Sequence, residues 1–272
     1  MPASLDQIVA ATRGRLAEAK HAADLRQLDR QAAKHVPRGF RSSLESVGQV
    51  GAAVIAELKR ASPSRGLIRA DFDPEKLAQE LESAGAAALS VLTDAEFFQG
   101  SLDNLRLASA CTKLPCLRKD FIVDEFQLME ARANGADAVL LIVAALSQGE
   151  LKRLTSRAGE YSLDVLWEVH DEHELQRAVD AGCDLIGVNN RNLRTFQVDL
   201  ETAFRLADSI PENALAVAES GIHSGADIAR LHSAGYRAFL IGESLMKAKS
   251  PGETLKALLV EAQRSSDALV RR

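Results

Sequence analysis

Charged side chains close several of the apolar, strand-like segments of this 272-residue chain. In the segment VIAELK, Glu57 and Lys59 are two residues apart, so an extended strand would present both on the same face. Three further apolar runs end similarly, with Lys119 in LRKD, Glu168 in LWEVH and Glu219 in VAES. Because a buried charge is unfavourable unless it is paired or hydrated, this repeated placement indicates a catalytic site. Ammonium and carboxylate groups are common acids and bases in such sites.

The apolar runs belong to a repeated pattern with a period of about fifty residues. Four similar segments are AGAAALSVLT from Ala84, NGADAVLLIV from Asn134, AGCDLIGVNN from Ala181 and AGYRAFLIGE from Ala234. In each, a glycine is predicted to close a helix in the left-handed conformation before a strand begins. Four more apolar runs lie between them: VIAELK, PCLRKD, DVLWEV and ALAVAES. The pattern therefore predicts eight strands.

A helical segment follows each predicted strand. Helix starts are marked by Asp73 before a first-turn proline, and by two predicted capping boxes that begin at Asp124 and Asp171. Eight strands that alternate with eight helices predict an α/β fold, a (β/α)8 TIM barrel with a closed parallel sheet. Residues 1–45 precede the repeat and are predicted to form an N-terminal extension of one or two amphipathic helices, at the barrel floor or its mouth. We expect residues 1–272 to form a single domain.

In such a barrel the active site lies at the carboxyl ends of the strands, and alternate strands supply each layer of interior side chains. The five charged residues stand on the first, third, fifth and seventh predicted strands, so they should converge on one small volume. The alternative is an ion-pair network that only orders the barrel mouth, since structural networks also gather charge.

The sixth predicted strand ends in GVNNRNL, which brings Asn189 and Arg191 to the same end of the barrel. A guanidinium there could bind a carboxylate through two parallel hydrogen bonds. Taken alone, Arg191 could equally be a solvated loop charge.

The loops after the seventh and eighth strands contain serine and glycine, at Ser220–Gly221 and at Gly242 and Ser244. Barrels of this class often bind a phosphate in these two loops, on backbone N–H groups and a short helix N-terminus. Ser62, in the loop after the first strand, could add a further donor. The alternative is that the glycines only permit tight turns.

Composition excludes several other functions. A net charge of -5 argues against a nucleic-acid partner, and the longest apolar run, Ala138 to Leu146, is too short to cross a membrane as a helix. The three cysteines include no CxxC pair and, with no apolar signal core near the N-terminus, predict reduced thiols and a cytoplasmic location. The HDEH sequence at 170–173 lacks an evident third ligand, so we expect no metal. The oligomeric state is left open, with a monomer favoured.

Six motifs resemble those of one enzyme family, the indole-3-glycerol phosphate synthases. They are IAELKRASPSRG, LRKDFIVD, EVHDEHEL, GVNNRNL, AESGI and IGESLM, and they cover nearly the whole barrel in order. The resemblance implies ring closure of 1-(2-carboxyphenylamino)-1-deoxy-D-ribulose 5-phosphate, with loss of CO2 and then of water, and requires no cofactor. Trp167 stands where the family more often has a smaller aliphatic residue. Strand alternation predicts that it faces outward, beneath the helices.

The same resemblance implies roles for the five charged residues. Lys119 would be the general acid for closure, and Glu168 would act in the dehydration with Lys59 as its partner acid. Glu57 and Glu219 would keep the lysines charged and orient the substrate.

The resemblance also implies contacts with the substrate. Asn189 would bind a hydroxyl group, and Arg191 the carboxylate. The phosphate would lie among Ser62, Ser220, Gly221, Gly242 and Ser244. The aromatic ring would lie against Phe98, Phe121 and Leu140, although each of these could serve only to pack the core.

Three alternatives stay open on the sequence. A related phosphate-binding barrel, such as phosphoribosylanthranilate isomerase, typically uses a cysteine and an aspartate, and no cysteine ends the first strand here. A Schiff-base aldolase could use Lys119 or Lys59. A barrel without catalytic activity could serve as a scaffold, but such a barrel needs no charged strand ends.

Overall fold

The computed structural model describes residues 4–270 and contains a closed barrel of eight parallel strands. Each strand pairs with its neighbours in chain order, and the first pairs with the last through Ala53 and Ala238. The predicted (β/α)8 fold is therefore confirmed. The strands are β1 (Ala53–Leu58), β2 (Ala88–Leu92), β3 (Cys116–Lys119), β4 (Ala138–Ile142), β5 (Asp164–Val169), β6 (Leu185–Asn189), β7 (Leu215–Glu219) and β8 (Ala238–Ile241).

The strands are buried on both faces, which explains their nearly continuous apolar sequences. Along β1, Ile55 belongs to the cluster inside the barrel, whereas Val54 belongs to the cluster between the strands and the helices. Trp167 is in the outer cluster, as strand alternation predicted. Glu57 follows Ile55 on the inner face and is also buried.

Helices cover the outside of the barrel. Eight of them were predicted: α4 (Pro74–Ser83), α6 (Leu102–Ala110), α7 (Glu125–Ala133), α8 (Gln148–Glu160), α9 (Glu172–Asp180), α10 (Glu201–Ala207), α11 (Gly225–Ser233) and α13 (Pro251–Val270). The sequence did not predict the short helices α5 (Ala95–Phe98) and α12 (Glu243–Lys247), or the hairpin of Ala61–Ser62 with Gly66–Leu67 after β1. The four repeat glycines end their helices with φ values of 96°, 84°, 83° and 104° at Gly85, Gly135, Gly182 and Gly235.

The predicted helix starts are confirmed in two cases and half confirmed in the third. Asp73 caps α4, and the capping box at Asp124 is complete. At α9, Asp171 accepts the backbone N–H of Glu174, but the second half of the predicted box is wrong. The Glu174 carboxylate instead accepts the backbone N–H of His170, because it also lies 2.9 Å from the ring nitrogen Nδ1 of that histidine.

The N-terminal extension has three helices among the described residues, rather than the one or two predicted: α1 (Leu5–Ala22), α2 (Leu25–Ala32) and α3 (Phe40–Gly48). Phe40 and Leu44 of α3 are fully buried in the inner cluster, so α3 closes the barrel floor. Leu5 and Ile8 of α1 border a cavity at the opposite end. The extension thus occupies both predicted places. That residues 1–272 form a single domain stays a prediction, and residues 1–3 and 271–272 lie outside the described range.

A buried aspartate joins the extension to the barrel. Asp137, in the loop before β4, accepts hydrogen bonds from the side chains of His35 and Arg38 and from the backbone N–H of Cys116. Burial alone would raise the pKa of this carboxyl group, but these hydrogen bonds lower it overall. The charged form of Asp137 therefore stabilises the attachment of the segment before α3.

Cys111, Cys116 and Cys183 are free thiols, and the last two are buried. Within residues 4–270, no helix is both long enough and apolar enough to span a bilayer. The same residues contain no group of three or more histidine, cysteine or acidic side chains arranged to hold a metal ion.

Candidate active site

A cavity of about 280 Å³ opens at the carboxyl ends of the strands. It is bordered by every residue that the sequence predicted for the site. These residues are Glu57, Lys59, Ser62, Phe98, Lys119, Phe121, Leu140, Glu168, Asn189, Arg191, Glu219, Ser220, Gly221, Gly242 and Ser244. The barrel therefore brings them together, as the position of their strands required.

Lys119, the last residue of β3, lies at the centre of the charged cluster. Its Nζ is 2.7 Å from Glu168 Oε2 on β5 and 3.1 Å from Glu219 Oε2 on β7. Burial of the ammonium group would lower its pKa, but attraction to Glu168, Glu219 and Glu57 raises the pKa well above its ordinary value. Lys119 is thus held in its protonated form at the cavity wall.

The two glutamates that share Lys119 have different electrostatic surroundings. Burial opposes ionisation of Glu168, but Lys119 and His170 outweigh it and lower the pKa of Glu168. Burial dominates at Glu219 and raises its pKa, because only Lys119 stabilises the charge and Glu168 repels it. Neighbouring carboxyl groups whose pKa values are separated in this way can take different roles in proton transfer.

Glu57 and Lys59 form a second ion pair at the end of β1. Lys59 Nζ is 2.5 Å from Glu57 Oε2, and the carboxylate is buried while the ammonium is partly exposed. The two opposite charges on one face of an apolar strand therefore neutralise each other inside the barrel mouth. Lys59 also stands at the start of the hairpin that follows β1, so it links the barrel to a loop over the cavity.

Arg191 lies beside the cavity in the loop after β6. It contacts Glu243 at 3.5 Å and donates a hydrogen bond to the backbone carbonyl of Phe196. Arg65, from the loop after β1, lies 3.1 Å from the same Glu243. The carboxylate of Glu243 thus joins the loops after β1, β6 and β8, which the sequence did not predict. Asn189 accepts the backbone N–H of Arg191 and holds the start of this loop.

The predicted phosphate-binding segments border one part of the cavity. Ser220 and Gly221 have φ values of 64° and 79°, which turn the chain sharply after β7. Ser244 Oγ, in the first turn of α12, is shielded from solvent and has no hydrogen-bond partner in the described structure. A Cβ atom on Gly242 would lie 2.9 Å from Glu57 Cβ, so glycine at this position also makes room for Glu57.

Apolar side chains form the other wall of the cavity. The rings of Phe98 and Phe121 have centroids 6.2 Å apart and are inclined by 38°, and Leu140 borders the same space. The sequence did not indicate the further apolar residues Leu5, Ile8, Leu193, Phe196 and Val198. They come from α1 and from the loop after β6, so only long-range packing places them here.

His170 does not border the cavity, but it pairs with Glu168, a contact that the sequence did not predict. Its Nε2 lies 3.4 Å from Glu168 Oε1, an ion-pair distance without hydrogen-bond alignment, and its Nδ1 faces Glu174. Burial would lower the pKa of His170, but the two carboxylates raise it to about 10. The signal was present in the sequence, because Glu168 and His170 repeat the two-residue spacing of Glu57 and Lys59.

Replacing His170 with glutamine should destabilise the protein in a pH-dependent manner. The pKa of His170 is raised on folding, so its stabilisation is fully present below about pH 6.5 and is lost as the pH rises towards 10. The difference in unfolding free energy between parent and His170→Gln should therefore shrink over this range by at least about 1 kcal/mol. Urea titrations at both ends of the range, followed by the fluorescence of Trp167, measure it.

His173 gives the matched control, because it is an exposed histidine in the first turn of α9. His173→Gln should show no comparable dependence on pH. A difference for His170→Gln that stays constant or grows between pH 6.5 and 10 would contradict the charged histidine.

Comparison with known proteins identifies the family. A family model described as indole-3-glycerol phosphate synthase matches residues 5–258. The chain belongs to the indole-3-glycerol phosphate synthase family. Among curated members, the protein of Koribacter versatilis is 61% identical over 259 residues, covering 95% of this chain and all of the relative. The protein of Chlorobium chlorochromatii is 53% identical, covering 79% of this chain and 84% of the relative.

Solved structures of lower identity share only the barrel fold. The thiamine phosphate pyrophosphorylase of Pyrococcus furiosus is 15% identical with a TM-score of 0.60, covering 81% of this chain and 98% of its own. A mandelate oxidase is 18% identical with the same TM-score, and the match covers 79% of this chain and 74% of the oxidase. The indole-3-glycerol phosphate synthase relationship makes the chain a carbon–carbon lyase of tryptophan biosynthesis that acts on a phosphorylated small molecule. It sets aside the isomerase, aldolase and scaffold alternatives.

Proposed function

We propose that the charged cluster at the barrel mouth catalyses both steps of indole-3-glycerol phosphate formation, with Lys119 as the acid of ring closure. The observation that carries the proposal is the position of Lys119 Nζ, within 2.7–3.1 Å of two buried carboxylates at the wall of the cavity. A protonated amine in that place can donate a hydrogen bond to the ketone oxygen of the substrate, while the aromatic ring of the substrate lies against Phe98 and Phe121.

In the first step, the ring carbon that bears the carboxylate forms a bond to the ketone carbon of the sugar. Negative charge develops on the ketone oxygen, which takes a proton from Lys119 and becomes a hydroxyl group. The bond to the carboxylate then breaks, CO2 leaves, and its electron pair restores the aromatic ring. A fixed positive charge beside the developing oxyanion stabilises the transition state more than the neutral ketone.

In the second step, the new hydroxyl group leaves as water. Lys59 supplies the proton to the departing oxygen, and Glu168 accepts the proton from the neighbouring sugar carbon, so that the double bond of the indole forms. The two lysines belong to separate ion-pair groups, which supports giving them different steps: Lys59 is paired with Glu57, whereas Lys119 is paired with Glu168 and Glu219. Glu57 and Glu219 keep the lysines charged and oriented.

The rest of the cavity binds the substrate. The phosphate lies among Ser62, Ser220, Gly221, Gly242 and Ser244, supported by the free Oγ of Ser244 and the sharp turn after β7. Asn189 binds a sugar hydroxyl, and Leu140 packs with the two phenylalanines against the aromatic ring. Arg191 exchanges its 3.5 Å contact with Glu243 for the carboxylate of the substrate.

Replacing Arg191 with lysine tests the carboxylate contact. Lysine keeps the charge but loses the planar pair of N–H groups, so KM should rise about tenfold, the loss of about 1.4 kcal/mol expected for one good charged hydrogen bond. Arg194→Lys is the matched control, because Arg194 lies exposed in the same loop and does not border the cavity. An unchanged KM for Arg191→Lys would mean that another group binds the carboxylate.

The reaction itself is tested by incubating the protein with 1-(2-carboxyphenylamino)-1-deoxy-D-ribulose 5-phosphate. Indole fluorescence should appear, with one CO2 released for each indole. Absence of both, from a protein with native circular dichroism, would refute the proposal. We place this activity in the cytoplasm and in a monomer. Three free thiols support the location.

A further inference from the structure

Gly187 lies in the middle of β6, on the inner face of the barrel, between two of the glutamates of the site. In the sheet it is the register partner of Glu168 on β5 and of Val217 on β7. Its neighbours on the same face of β6 are Leu185, in the inner cluster, and Asn189, at the cavity. Gly187 is therefore the one position of the three without a side chain.

Backbone conformation does not explain this glycine. The φ angle of Gly187 is not in the left-handed region, unlike those of Gly85 or Gly221, so any residue could adopt its backbone. A glycine in the middle of a strand weakens the strand, because it has no side chain to pack and loses more chain entropy on folding. A close approach of another group to the backbone at this position would explain the glycine.

The close approach is made by Glu219. A Cβ atom built on Gly187 would overlap Glu219 Oε1 and would lie 3.2 Å from Glu219 Cδ and 3.2 Å from Leu166 Cδ1. Glu219 is 1% exposed, and Oε1 has no hydrogen-bond partner among residues 4–270. The carboxylate thus lies with one oxygen over the bare backbone of Gly187 and the other, Oε2, 3.1 Å from Lys119 Nζ.

We propose that Gly187 is a positioning residue: because it has no side chain, the Glu219 carboxylate can lie beside Lys119 during ring closure. The inference deepens the proposed function and rests on the role of Lys119 given there. An alanine at this position would be tolerated by the strand, because the atom it displaces is the far end of a flexible side chain. The displaced Glu219 would rotate, and Oε2 would move away from Lys119.

Gly187→Ala should therefore lower kcat about 10- to 100-fold, with KM changed less than about threefold, since misplacing a catalytic group by about 1 Å can cost about a hundredfold. The fold should persist, as judged by thermal unfolding followed at Trp167. Loss of the fold would overturn the inference, because the added methyl group should displace only the end of the Glu219 side chain. A parent-like kcat would overturn it as well.

A double-mutant cycle separates positioning from packing. Glu219→Asp draws the carboxylate back by one methylene, out of the space above residue 187. In that background, Gly187→Ala should reduce kcat less than about twofold, because the added methyl group no longer meets Oε1. An equal reduction in both backgrounds would show that Gly187 acts independently of Glu219. Rescue of Gly187→Ala by Leu166→Val would also overturn the inference, since it would assign the space to Leu166.

A crystal structure of Gly187→Ala decides the matter even if the aspartate variant turns over too slowly to measure. Displacement of the Glu219 carboxylate away from Lys119 supports the inference, and an unmoved carboxylate overturns it. Indole formation by the parent protein is measured first. If the parent forms no indole, the proposed function fails, whereas the position of Glu219 in the variant still tests the contact with residue 187.

Discussion

Replacing Lys119 with methionine is expected to lower turnover by at least about a hundredfold, which is the ordinary contribution of a general acid. Methionine keeps most of the apolar stem but removes the only proton donor that lies between Glu168 and Glu219 in the described structure. The substrate still has its phosphate and carboxylate contacts, so a substrate analogue should bind nearly as well as it does to the parent. Steady-state kinetics and calorimetric titration of the analogue measure the two effects.

Lys152→Met is the matched control, because Lys152 lies exposed on α8, away from the cavity. It should leave turnover unchanged. Removing Lys119 also leaves Glu219 without its cation, whereas Glu168 keeps its contact with His170. The pKa of Glu219 should therefore rise further, and this carboxyl group should take up a proton at neutral pH. Circular dichroism establishes that the variant is folded. A kcat within a few-fold of the parent would contradict the assigned acid.

Replacing Lys59 with methionine should produce the second-largest effect, but at a later step. Lys59 is paired with Glu57, so its loss leaves the contacts among Lys119, Glu168 and Glu219 in place. Ring closure and loss of CO2 should therefore continue, while dehydration slows by about a hundredfold for want of an acid. The decarboxylated, still hydroxylated intermediate should accumulate and can be detected by mass spectrometry after acid quenching.

Arg60→Met is the control for this experiment. Arg60 is the next residue, also loses a positive charge, is exposed and does not border the cavity. It should form indole without a detectable intermediate. If Lys59→Met behaves like Arg60→Met, another group protonates the departing hydroxyl.

Much of this arrangement could be predicted from the sequence, because it follows from local periodicity. Alternation along β1 puts Ile55 in the core and Glu57 above it, and the same alternation sends Trp167 outward. A parallel barrel then brings the carboxyl ends of β1, β3, β5 and β7 together, so charges far apart in the chain meet without any local sequence signal linking them.

The parts that could not be predicted depend on contacts between distant segments. Nothing local to Leu5 and Ile8 shows that α1 reaches the mouth of the barrel. The half-formed capping box at Asp171 arises because His170 competes for the Glu174 carboxylate. The reason for Gly187 is seen only in the folded barrel, where Glu219 lies over it. The two residues are thirty-two positions apart in the chain. Side-chain competition and close approach are properties of the assembled barrel.

The order in which the two lysines donate protons is tested most directly by a single-turnover experiment on the two lysine variants. With enzyme in excess over carboxyl-labelled substrate, released CO2 and indole fluorescence are followed together. Lys59→Met should release one CO2 per substrate at nearly the parent rate, well before indole appears, whereas Lys119→Met should release neither at an appreciable rate. Rapid CO2 release by Lys119→Met without indole would contradict the account and would exchange the roles of the two lysines.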